Sequence, residues 1–403
     1  MSEKRKPQRR VALAYPVAVP WMALFMRGVA DYADRHGGWT ILTSPPTLAG
    51  AEEYAMSIRT LRGWRGDGVI AAISTPQEAR TARRLGIPVV NLSGALEKTG
   101  LPRVMIDHYT IGRLAAEHLL QRGFRNLAYC GTKGLLYSQL RAEGFAHVAR
   151  AAGASCTTLE TPGHFRSGTT WQRHTAPLER WLQRLKLPVG VLAIHDYRAR
   201  VIVELCHALG LNVSSEVAVV GVDNDPTVCE FCRPTLTSVS RNAWRNGYEA
   251  AAMLDVLMSG KSPPRRDVLI APDGVVARQS TATVVVEDPL VAAAVQFMCD
   301  HLTERIGIVQ AAEYAAISRR HLELRFRRKL GCTPMEYLWR LRVDRAKNLL
   351  AHPKRMKLDQ VAKACGLNGS ERLRSVFKRI TGQTPMEYRR NVDFAAPAVK
   401  KKG

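Results

Sequence analysis

A twelve-residue stretch near the C-terminus occurs twice, and it constrains the fold more than any other feature of the chain. Residues 326–337 read FRRKLGCTPMEY and residues 377–388 read FKRITGQTPMEY, 51 positions apart and identical at eight of the twelve. Agreement on both sides of the shared TPMEY run marks an internal duplication. Each copy carries the punctuation of one helix stopping and another starting. A glycine closes the first helix (Gly331, Gly382), Thr caps the next, Pro takes its first position, and Glu falls three residues after the cap.

Upstream of each copy lie a second helix and a short turn, AAEYAAIS (311–318) and AKACGLNGS (362–370), so each unit reads as a helix-turn-helix. In the first unit Leu322 and Phe326 share one helix face at i, i+4, which leaves Arg319, Arg320, Glu323, Leu324, Arg327 and Arg328 on the other sides. In the second, Leu373 and Phe377 turn inward and Ser370, Glu371, Arg374, Ser375, Lys378 and Arg379 outward. Long polar arms of this kind reach base edges and phosphates. A single basic helix is more often a solvated face; two basic units with matching punctuation point to double-stranded DNA.

The charge distribution agrees. Of a net +24, +14 lies in residues 291–403, where 24 Lys and Arg face 10 Asp and Glu; a partner with many negative charges fits that bias. At 403 residues the chain has room for two or three domains. No apolar run approaches the length of a membrane span. The basic start, MSEKRKPQRR, leads into VALAYPVAVP, too short and strand-like for a secretion signal, so a cytoplasmic protein is expected. Eight cysteines are scattered along the chain, and only Cys229 and Cys232 form a CxxC. Without a second pair or a His cluster at ligand spacing, free thiols are expected, with no metal and no cofactor. Cys130 follows a strand but has no nucleophile-elbow motif and no His at suitable spacing, so no catalytic residue is assigned and no enzyme is expected.

From Arg10 to about Ser280 short apolar strands alternate with helices. The strands are 11–15, 39–43, 68–73 and 88–93, with helices at about 20–36, 49–62 and 76–86 between them. The pattern resumes with LAYCG after Asn126, a helix over 138–152, TTLE, a helix near 175–186, GVLAIHD (190–196), a helix to Leu209, and VAVVGVD (217–223). Buried strands spaced by helices predict parallel sheets with helices on both faces, here as two lobes with a cleft between them. Ligands of such sheets sit beyond the carboxyl ends of the strands. The polar residues there are Ser74, Asp107, Arg141, Asp196, Asp223 and Asn224; carboxylates and a guanidinium in one cleft hold vicinal hydroxyls. Trp21 and Phe25 are suited to cover the apolar face of a sugar. Each has a plainer alternative: Asp107 and Asp196 as helix caps, Trp21 and Phe25 as core.

Residues 290–390 resemble the DNA-binding domain of the AraC/XylS family: A-x-x-x-G-L in the second unit, F-[KR]-R before Gly and TP-x-E-Y after it, with RVDRAKNLL resembling the family's linking helix. One departure is Ala316, which stands where the first turn usually has Gly. Residues 10–280 are similar to the ligand-binding core of the lac and galactose repressor family, itself related to periplasmic sugar-binding proteins. DGVI (67–70), IPVVN (87–91), the segment 104–124, R-A-E-G-F (141–145), and VAVVGVDN followed by P-x-L-T-S-V carry that likeness. In that family the Arg of R-x-x-G-F and the Asp of G-x-D contact effector, which implies Arg141 and Asp223. The repressors begin with a DNA-binding segment of about sixty residues, whereas only about ten residues precede the first strand here, so DNA binding has moved to the other end.

The two resemblances imply an α/β, two-lobed, periplasmic-binding-protein-like sensor over 11–280, a linker at 281–290, and an all-α DNA-binding domain over 291–392, with basic tails at 1–10 and 393–403. They also imply a homodimer that reads two half-sites and a small sugar effector, D-xylose first. Effector closes the two lobes and changes how the paired units meet DNA. An activator working with RNA polymerase is the expectation. A repressor of the same architecture, and more distantly an enzyme fused to a DNA reader, stay open.

Overall fold

The strands expected from their β-branched runs form parallel sheets. The structure, a computed structural model, describes residues 8–15, 20–43, 57–162, 170–283, 285, 288–351 and 356–393. The chain divides into two compact units, one of residues 1–112, 131–144 and 240–273, the other of 113–130, 145–239 and 274–403. The second unit thus joins half of the sensor fold to the helical C-terminus.

In the first unit four strands lie in the order Trp39–Thr43, Arg9–Ala14, Gly68–Ala71, Val89–Asn91, all paired in parallel. Helix Pro20–His36 begins and ends where its sequence predicts. Pro76–Arg83 starts at a full capping box, with Thr75 accepting from the Glu78 N–H and Glu78 returning to the Thr75 N–H. The helix expected over 49–62 differs. Residues 49–56 lie outside the described residues, and 58–63 form turns. Thr60 Oγ1 donates to the Ser57 carbonyl at 2.9 Å and accepts from its N–H at 3.2 Å, a local side-chain bond that competes with helix.

The second unit carries six strands in the order Gly274–Val276, Thr237–Ser240, Val217–Val222, Val189–Ala193, Asn126–Thr132, Ser155–Thr161. Every residue of Val217–Val222 is buried, as a central strand covered on both faces requires. Val191 and Val219 pack with Ile202, Val203 and Cys206 of helix Asp196–Ala208 and with Leu178 of helix Trp171–Leu182. This last helix starts four residues before the sequence estimate because Thr170 caps it.

The C-terminal helices follow the duplicated punctuation. Asp288 caps helix Pro289–Asp300; Ile308–Tyr314 and Arg319–Leu330 make the first helix-turn-helix, Leu358–Ala364 and Gly369–Thr381 the second. Between them runs helix Pro334–Ala351, and Pro385–Asp393 closes the second unit. The linking helix serves two cores. Tyr337, Leu338 and Leu341 pack with Phe326 and Met298, whereas Val343, Ala346 and Leu350 pack with Phe377 and Val361.

Of the expected linker, residues 284, 286 and 287 lie outside the described residues. The rest is held. The Val285 N–H donates to the Arg122 carbonyl at 2.7 Å, and the Arg122 guanidinium stands 3.6 Å from Asp344 on the linking helix. The end of helix His108–Gln121 therefore touches both the linker and the helical domain. The tails lie outside the described residues except for 8–10 and Asp393.

Candidate functional site

Three groups of residues occupy the positions singled out by the sequence. In the first unit, Arg141 is 2% exposed on helix Leu136–Ala151. Its Nη2 is 3.3 Å from His108 Nδ1, and its guanidinium lies over the Tyr137 ring with 5.2 Å to the centroid. Burial, with Arg141, Arg241 and Arg103 nearby, holds the His108 pKa well below its ordinary value. A neutral imidazole can accept from Arg141 through Nδ1 and keeps its Nε2–H as a donor. His108 and Tyr137 were missed in the sequence; the signal for His108 was its place directly after the strand end that drew attention to Asp107.

Other expected contacts in this unit have structural partners. Asp107 accepts from the Thr110 N–H at 3.0 Å and its hydroxyl at 2.7 Å, the bonds of a helix cap. Ser74 donates its N–H to Glu78 at 2.9 Å and has its hydroxyl 3.3 Å from Ser93. Phe25 is 3% exposed and packs edge-on against Tyr15 at 5.3 Å, in the manner of a core residue. Trp21 lies in the first turn of helix Pro20–His36.

In the second unit, Asp196, Asp223 and Asn224 come together. Asp223 and Asn224 follow strand Val217–Val222 with φ of 109° and 54°. Asp196 is buried and accepts from the Asp225 N–H at 2.8 Å and from Ser238 Oγ at 2.6 Å. Arg278, also missed in the sequence, donates to Asn224 Oδ1 at 2.8 Å and to the Leu236 carbonyl at 2.9 Å. Cys130 is buried nearby in the sheet, and burial pushes its thiol up to about 12, which leaves it protonated and unreactive.

The third group is the pair of helices Arg319–Leu330 and Gly369–Thr381. Leu322, Phe326, Leu373 and Phe377 are buried, while Arg320, Arg327, Arg328, Ser375 and Lys378 are exposed. Arg319 is exposed and paired with Glu323 at 2.9 Å; Glu371 pairs with Arg374 at 2.6 Å. The Ser370 N–H is taken by Asp359 at 2.9 Å, a bond that holds the Asp359 carboxyl below its ordinary range. Arg379 stacks on Trp339 at 4.9 Å with Arg372 at 5.3 Å, and lies 3.5 Å from Glu336. Its guanidinium serves packing within the domain as well as facing solvent.

The domains match described families. Residues 116–281 match the periplasmic binding protein-like domain and residues 311–391 a helix-turn-helix domain. The chain is similar to the xylose operon regulatory protein of Escherichia coli (strain K12), 27% identical over 95% of this chain and 97% of that one. It is also 26% identical to the protein of the same name from Haemophilus influenzae, over 84% of this chain and 89% of that one. A solved structure of a xylose-binding transcription activator is similar over 96% of this chain and 98% of its own, with 25% identity and a TM-score of 0.61. This chain is a transcription regulator with a periplasmic-binding-protein-like domain and a helix-turn-helix domain. It binds DNA through its helix-turn-helix domain and carries a sugar-responsive, periplasmic-binding-protein-like domain. Among the described residues, no helix of this regulator is long and apolar enough to cross a membrane.

Proposed function

We propose that this regulator activates pentose catabolic genes in response to D-xylose. Similarity to xylose operon regulatory proteins over nearly the full length, through both domains, is the observation that carries the reading. Arg141 and Asp223 are the effector contacts in it. A buried guanidinium beside a neutral His108 suits a hydroxyl of a small polyol, and so, by itself, does a carboxylate on a held turn. The exposed arms of the two paired helices contact DNA, Arg320 and Arg327 in the first unit and Glu371, Arg374, Ser375 and Lys378 in the second. The regulator acts in the cytoplasm as a homodimer over two half-sites and recruits RNA polymerase. Effector works by binding one presentation of the paired units more tightly than the other.

Calorimetric titration of the full-length protein with D-xylose, L-arabinose, D-ribose and D-glucose tests this. Saturable binding of xylose is expected, with affinity at least ~10-fold lower in Asp223→Ala, the loss of one charge-assisted contact. DNA affinity without sugar should stay unchanged in that variant. Xylose affinity unaltered by the substitution would remove Asp223 from the effector site.

A further inference from the structure

Asp196 opens helix Asp196–Ala208 and is 1% exposed. A carboxylate so far from water must find its donors inside the protein. It has two, and each comes from a different segment around the end of strand Val217–Val222. The Asp225 N–H reaches Oδ2 at 2.8 Å from the turn, and the Ser238 hydroxyl reaches Oδ1 at 2.6 Å from strand Thr237–Ser240. The Cys229 thiol, from the short helix Pro226–Cys229, lies beside the carboxylate. Room for the carboxylate exists because residue 221 is glycine: a Cβ there would run into Asp196 Oδ1.

The turn gripped in this way is one the backbone does not favour. Asp223 and Asn224 both have positive φ, and neither is glycine. Two such residues in succession persist only where their surroundings hold them. Ser238 extends the grip, since its hydroxyl accepts from the Asn224 N–H at 2.9 Å while donating to Asp196. Arg278 holds the Asn224 side chain from the other side.

We propose that Asp196 is a positioning residue for sugar recognition: it does not touch the effector, but holds the turn at Asp223 and Asn224 in the positive-φ conformation that presents the Asp223 carboxylate. The effector half of this statement rests on the proposed reading of Asp223, whereas the grip on the turn stands by itself.

The electrostatics give the grip a pH dependence. Burial and the nearby charge of Asp223 push Asp196 up to about 7. The groups around it are Asp223 and Asp225 on the turn, Ser238 on the strand, and Cys229, whose thiol burial keeps protonated. Ionised Asp196 accepts from both of its donors. Once protonated it has a hydrogen to place among groups that are themselves donating, so the turn loosens as pH falls through that value.

The test compares full-length wild type with Asp196→Asn. Backbone amide exchange at Asn224 and Asp225 is followed without sugar, and D-xylose affinity is measured on both sides of pH about 7. The variant should exchange these amides faster and bind xylose ~10-fold or more weakly. The fall in wild-type affinity on acidification should be absent from it. Weaker binding with amide protection intact would make Asp196 a direct contact and overturn the proposal; so would unchanged protection together with unchanged affinity. If the wild type binds no pentose, the effector reading fails and the positioning of Asp223 for sugar falls with it, while faster amide exchange in the variant would still establish the grip on the turn. Should Asp196→Asn not fold, Ser238→Ala removes one donor and leaves the carboxylate, and the same amides should exchange faster.

Discussion

The two helix-turn-helix units share a repeated local design and are anchored by different contacts. Both end their second helix on a left-handed glycine, Gly331 at φ 67° and Gly382 at φ 77°. Both follow it with a reciprocal capping box, Thr333 with Glu336 and Thr384 with Glu387. Both pack a Phe edge-on against a Tyr, Phe326 with Tyr337 at 5.9 Å and Phe377 with Tyr388 at 5.5 Å. The turns differ. Ala316 takes φ 51° with its methyl exposed, whereas Gly366 takes φ 66° in a place where a Cβ would run into the Glu304 carbonyl and stand 2.7 Å from that of Leu302. The anchors differ too. Arg325 of the first unit reaches Asp288 at the linker at 2.6 Å, while the matching position in the second is buried Val376. The second unit is clamped instead by Arg372 and Arg379 on Trp339. Repetition therefore specifies how each unit turns its chain, and surroundings specify which positions can change.

The largest expected effect tests the turns. Gly366→Ala should destabilise the second unit by about 2–5 kcal/mol, the sum of left-handed strain and a backbone clash, seen as faster amide exchange in Gly369–Thr381. A loss below ~1 kcal/mol would show that the turn can shift away from Glu304, and the contrast with Ala316 would collapse.

A smaller effect separates the anchors. Arg325→Ala should cost about 1–3 kcal/mol in the first unit by leaving the Asp288 carboxylate without its charged partner. Asp288 sits below its ordinary 3.8 because Arg325 and the Leu290 and Val291 N–H groups bond its charged form, against the opposing effect of burial. With a folded value below the unfolded one, its contribution is present above 3.8 and is lost as pH falls through the folded value. Acid unfolding of wild type and Arg325→Ala should therefore converge at the lowest pH. Parallel curves down to that point would mean the pair adds nothing ionic.

The smallest effect has the opposite sign. Ala316→Gly should stabilise the first unit by about 0.5–1 kcal/mol, relief of positive φ partly offset by the freedom glycine gains when unfolded. Thermal unfolding of the two proteins checks it, and destabilisation would show that the alanine methyl has packing of its own.

The sequence was informative wherever one residue type enforces one geometry. Gly, Thr-Pro and Glu at fixed spacing placed the ends of four C-terminal helices, and β-branched runs placed Trp39–Thr43 and Val217–Val222. Helix Ala243–Met258 was not singled out, because its buried face includes Asn246 and Gly247, small or polar residues that allow close crossing rather than spelling an apolar stripe. Strand Val268–Ile270, with Leu269 exposed, lacks the continuous buried run that marked Val89–Asn91. At the site, polar residues at strand ends could be found, but not sorted. Asp107, Asp196 and Asp223 look alike in a sequence; burial and donors make the first a cap, the second the centre of a hydrogen-bond network, and leave the third on a strained turn.

The linking helix contributes side chains to two cores at once, and this sets the grammar of the DNA the regulator can read. Eighteen residues form a strut of roughly 27 Å at about 1.5 Å each. Neither unit can be re-aimed without unpacking the other. On the proposed reading, in which the arms of both units meet one duplex, the operator is a pair of words with a fixed gap, and a base pair inserted between them moves the second word around the duplex by about a tenth of a turn, where a rigid strut does not follow.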